Sequence, residues 1–162
     1  MSTKALRIYL NDHLAGSVAA LELLDHLTDL HSDPARKQFF VGLRAEIEED
    51  QRVLQRLLDQ AGGEESPVRK AAAWLTEKLG RAKLKLEDSG DGELRVFEAL
   101  ETLALGIQGK LTLWQALEAA ADRIPQFQGM DFPRLKQRAL QQHERVEDQR
   151  LQSARAALAT DR

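Results

Sequence analysis

The stretch FFVGLRAEIEEDQRVLQRLLDQA, residues 39–61, decides the fold. Phe40, Leu43, Ile47, Leu54, Leu57, Leu58 and Ala61 recur at helical steps and form one stripe along a helix. At about 100° per residue, Asp50 falls inside that stripe, between Ile47 and Leu54. A carboxylate in a core position is costly unless something pairs with it. The rest of the chain is therefore read for what faces Asp50.

Working outward, Pro34 behind Asp33 supplies a cap-then-proline start for this helix, and Gly62-Gly63 supplies its stop. A first helix over about Lys4 to Leu30 carries Leu6, Leu10, Leu14, Val18, Leu21 and Leu24 on one face. The link His31-Ser32-Asp33 is so short that the first two helices must be antiparallel neighbours. Ser66-Pro67 predicts a shorter amphipathic helix with Trp74 on its apolar side, followed by a loop around Ser89-Gly90-Asp91-Gly92. A long helix over about Glu93 to Arg123 follows, with Trp114 on its stripe, and Pro125 ends it. Asp131-Phe132-Pro133 starts the last one, carried by Leu135, Ala139, Leu140, Val146, Leu151, Ala154 and Leu158.

The chain of 162 residues reads as one all-α domain over 1–162, with four long helices of roughly 40 Å each. If the shorter helix runs back along the bundle, the second and fourth helices of the sequence point the same way, a crossover form of the four-helix bundle. A net charge of −3 with interspersed signs, and no basic tract, argues against nucleic acid. No apolar run approaches a membrane span, and the N-terminus turns polar too early for a secretory signal, so a cytoplasmic protein is expected. The absence of cysteine excludes disulfides, thiolate metal sites and a cysteine nucleophile. No phosphate loop or nucleotide fingerprint is present, which argues against an NTPase.

Each long helix places an ionisable residue in or beside its stripe. His13 lies about eighteen residues before the end of its helix and Asp50 about sixteen after the start of its own. Lys110 lies about seventeen after its start, and His143, placed centrally on the last helix, about sixteen before its end. In a crossover bundle these four share one layer. One reading of the layer is a metal site built from His13, Glu46, Asp50, His143 and Glu147. The other is a charge-compensated core of Asp50, Lys110, His143, Glu147 and Arg150, with Asp50 paired to Lys110 and Glu147 paired to Arg150 or His143. The usual di-metal pattern needs Glu-x-x-His, and the residues three before His13, His26, His31 and His143 are Leu10, Leu23, Thr28 and Leu140. Lys110 and Arg150 also bring positive charge to where a metal would sit, so the paired core is the expectation and no cofactor is expected, with iron or manganese as the alternative.

With EIEED (46–50) in the second helix and HERVEDQR (143–150) in the last, the chain resembles the ferritin-like superfamily. It is most similar to a bacterial ferritin-like family without the usual di-iron motifs, through YLNDHLAGS (9–17), AWLTEKLGRAKL (73–84) and LGIQGKLTLWQAL (105–117). The resemblance implies a ferritin-like four-helix bundle with a crossover containing an additional shorter helix. Superfamily members store iron, reduce peroxide or oxygenate substrates, and some have lost the metal. The expectation is a binding or stress-associated structural module and not an enzyme. The alternative is an iron- or manganese-binding protein or oxidoreductase.

Other features are read as ordinary surface or packing. Glu22, Asp25, His26 and Asp29 make a solvated acidic face, and Glu98 and Glu101 lie away from the apolar centre of their helix. Gly106 and Gly109 each cost about 1 kcal/mol relative to Ala within a helix, which points to a close approach there. Ile8, Leu23, Val41 and Leu113 lie off the main stripes and outline a patch for a homodimer.

Overall fold

The computed structural model describes residues 3–62 and 92–159. The shorter helix expected after Ser66-Pro67, with Trp74, lies outside the described residues. Four long helices are present, α1 (Thr3–Leu30), α2 (Pro34–Gln60), α3 (Gly92–Ala120) and α4 (Phe132–Ala157), and no strand occurs among the described residues. None of these helices is long and apolar enough to cross a membrane.

The helix ends follow local chemistry. Asp33 accepts a hydrogen bond from the Ala35 backbone N–H at 3.2 Å, ahead of Pro34, and Asp131 accepts one from Arg134 at 3.0 Å. Each satisfies one of the donors that a helix start leaves unpaired. Past the end of α2, Gly62 turns with φ +78°, a conformation glycine takes without steric cost. α3 stops at Ala120, short of the expected Arg123. Two 3-10 turns, Ala121–Arg123 and Pro125–Phe127, carry the chain onward. Ile124, placed before Pro125, is extended at φ −122° and ψ 100°, because the proline ring disfavours helical geometry in the residue ahead of it.

α1 packs most extensively on α2, and α3 on α4, with a lighter contact between α1 and α3. Two apolar clusters fill the bundle. At one end Leu10 and Leu14 of α1 meet Leu57 and Leu58 of α2, Trp114 and Leu117 of α3, and Phe132 of α4. At the other, Leu24 and Leu27 meet Phe40 and Leu43, Val96 and Leu100, and Val146. The chain numbers in these clusters show that α2 and α3 point the same way, while α1 and α4 run opposite to both.

Two readings of the apolar stripes are corrected here. The buried positions of α4 are Phe132, Ala139, Gln142, Val146 and Ser153, whereas Leu140, Leu151 and Leu158 are exposed. Leu140 lies one residue, about 100°, past Ala139, which turns it off the inward line. Leu113, assigned to a dimer patch, is buried in the core, and Leu23 packs partly buried against the second cluster. Ile8 and Val41 remain exposed.

Candidate functional site: a buried charge layer beside a cavity

Asp50 comes from the middle of α2 and is 3 % exposed, between the two apolar clusters. Lys110 reaches it from α3, its Nζ donating to Asp50 Oδ2 at 2.6 Å. Lys110 also donates to the Gln142 amide oxygen. Gln142, fully buried on α4, turns its amide nitrogen to Glu46 at 3.2 Å and to Asp50 at 3.3 Å. Arg138 of α4 brings Nε within 3.3 Å of Asp50 Oδ1, an ion-pair distance without hydrogen-bond geometry. Its Nη2 donates to the Glu46 carbonyl and to Glu49. At the rim, Arg145 grips both oxygens of Glu46, at 3.0 and 2.6 Å. Three carboxylates thus face three cations, with Gln142 as the neutral bridge.

The electrostatics follow from this geometry. Burial pushes the Lys110 ammonium below the ordinary lysine value, and Asp50 opposes that shift. The Arg145 hydrogen bonds hold Glu46 below the usual carboxylate range. His13, half-buried on α1, is also lowered by burial, which favours the neutral imidazole. Its ring stands edge-on to Tyr9, with centroids 4.8 Å apart.

The structure brings Asp50, Lys110 and Glu46 into one layer, sets His13 on the wall of the pocket beside it, and leaves Glu147 and Arg150 apart. The central position assigned to His143 belongs to Gln142, the adjacent residue one helical step round. Glu147 and Arg150 pair with each other at 2.5 Å, and Arg150 extends to Glu101 at 3.1 Å, forming a separate flank of α3 and α4. The guanidinium of Arg150 also lies over the Phe97 ring at 5.8 Å. Arg150 and the His143 charge hold Glu147 below the usual carboxylate range, the Arg150 hydrogen bond foremost. Of the acidic face on α1, Asp25 is bound by Arg44 at 2.6 Å.

Among the described residues, no three His, Asp or Glu side chains converge as metal ligands. The donor set does not fit an iron or manganese ion: Asp50 and Glu46 present their oxygens to an ammonium, a guanidinium and an amide, where a metal would need them free. Arg138, Gln142 and Arg145 went unread in the sequence. Their signal was the spacing 138, 142, 145 on α4 against 46 and 50 on antiparallel α2, which is a ladder only once the pairing of those helices is known.

Beside the layer, α1, α2 and α3 line a half-open pocket of about 250 Å³. Asp50 and Lys110 reach it from the layer, Ile47, Leu54 and Trp114 give it apolar walls, and His13 lines it from α1. Gly16, Gly106 and Gly109 line it too, and a Cβ added at any of the three meets no described atom within 4 Å. These glycines widen the space between α1 and α3. No family model matches the chain, and no curated protein or solved structure matches it.

Proposed function

We propose that this chain is a ferritin-like four-helix bundle acting as a non-enzymatic binding module, with charge pairs holding the mid-bundle position. The observation that carries the reading is the buried Asp50–Lys110 contact at 2.6 Å. A carboxylate engaged by an ammonium inside a protein is unavailable to a metal cation, and removing either partner leaves a buried charge without its hydrogen-bonded counter-ion. The common direction of α2 and α3 supports the topology, since a crossover connection produces it.

The test is a titration of untagged, chelator-free protein with Fe(II) in the absence of air, and separately with Mn(II). The reading predicts substoichiometric metal that His13→Ala and His143→Ala leave unchanged. About two metals per chain, lost in His143→Ala, would establish the alternative. That alternative is an iron- or manganese-binding protein or oxidoreductase using His13, Glu46, Asp50, His143 and Glu147.

A further inference from the structure

α4 turns its larger apolar side chains away from the bundle. Of the four leucines over 132–158, only Leu135 packs against the core, while Leu140, Leu151 and Leu158 are 53 %, 45 % and 62 % exposed. The inward line is Ala139, Gln142, Val146 and Ser153. At about 100° per residue, the steps from Leu140 to Leu151 to Leu158 keep all three within about 20° of one line along the outer face. Leu158 holds that line because its N–H still donates to the Ala154 carbonyl, at 2.9 Å. Single apolar residues scattered over a surface are normal, but three aligned along one helix form a seam.

Charge complementarity identifies the occupant. Glu144 and Arg155 flank the seam, both exposed, and neither side chain has a hydrogen-bond or ion-pair partner among the described residues. Two copies of α4 laid antiparallel about a two-fold axis between positions 149 and 150 set residue 144 of one copy opposite residue 155 of the other. In that register Glu144 meets Arg155 twice, Leu140 meets Leu158 twice, and the two Leu151 side chains meet beside the axis. Asp148, one turn from Glu144, adds a second carboxylate near the same guanidinium. A parallel pairing instead sets Glu144 against Glu144 and Arg155 against Arg155, which is repulsive at both positions. We infer that the outer face of α4 is a homodimer interface, on which a second copy of this chain docks antiparallel along Leu140, Leu151 and Leu158. A two-fold contact uses the same patch on both copies, so the patch has to complement itself, as this one does. The seam faces away from the ion-paired layer and does not depend on the function proposed above. It takes the place of Ile8 and Val41 as the dimer surface.

Sedimentation equilibrium of the full chain should show a concentration-dependent dimer. Leu151→Glu brings two carboxylates together beside the axis and should weaken that dimer at least about 10-fold. Its thermal melt by circular dichroism should stay cooperative, because the position faces outward. Glu144→Arg should also weaken the dimer, and adding Arg155→Glu should restore it. The chain has no cysteine, so single-cysteine variants report the register directly. Under mild oxidation Leu151→Cys should cross-link the two copies. Leu140→Cys should not, since its two copies lie about 28 Å apart along the helices, beyond the roughly 7 Å between Cα atoms that a disulfide spans. A parent that stays monomeric overturns the interface, and a dimer that Leu151→Glu leaves intact places it elsewhere. Cross-linking through Leu140→Cys, or a double charge reversal that recovers nothing, overturns the antiparallel register. Each of these failures leaves the Asp50–Lys110 pair as it stands.

Discussion

Asp50 and Lys110 are unequal partners, because a buried lysine can shed its charge by losing a proton near the alkaline range more readily than an exposed one. Burial already lowers the Lys110 pKa from 10.5, and Asp50 is the group that opposes the shift. Asp50→Asn should therefore leave a folded lysine whose pKa lies further below its unfolded value. For a base shifted this way, the penalty is full below the folded pKa and fades as pH rises towards 10.5. The stability deficit of Asp50→Asn relative to the parent, measured by urea unfolding, should be largest at neutral pH and narrower near pH 10 or so. A deficit that stays constant over that range would contradict the assignment. Asp50 was legible as the odd member of an apolar stripe, and Lys110 as its counterpart by depth. Gln142 was not, since an uncharged amide in a polar helix carries no cost that marks it as buried.

At the scale of the element, α2 and α4 are tied by a ladder of polar contacts that runs along both helices. Arg36 of α2 donates to buried Ser153 of α4 at 3.1 Å, and Arg145 grips Glu46 at mid-helix. The Glu46 pKa is held below 4.5, with the Arg145 hydrogen bond as the largest cause. A depressed carboxylate contributes stability that is fully present above its unfolded pKa and is lost as pH falls through the folded one. Arg145→Met removes the main cause, so acid unfolding followed by circular dichroism should begin at higher pH than in the parent. An unchanged acid transition would mean that this partly exposed pair is screened to insignificance. Helix starts were legible because Asp33-Pro34 and Asp131-Phe132-Pro133 encode them chemically. The inward face of α4 was not, because its buried line is small and polar, at Ala139, Gln142 and Ser153, while Leu140 and Leu151 face out.

For the whole molecule, the layer separates two apolar clusters and links α2 with both α3 and α4 at one depth. Helix lengths and the spacing of charged residues were enough to place Asp50 and Lys110 at that depth. They were not enough to separate a layer joined by Gln142 and Arg138 from a flank joined by Glu147 and Arg150. That distinction depends on helix rotation, and one residue changes rotation by about 100°.

The most direct measurement of the central claim is the unfolding free energy of Lys110→Met against the parent. The substitution leaves Asp50 buried with Arg138 as its remaining cation, at 3.3 Å and without hydrogen-bond geometry. A loss of about 3 kcal/mol, near the lower end for breaking a buried pair, is predicted. Unchanged or increased stability would contradict an ion-paired core and return Asp50 to the set of candidate metal ligands.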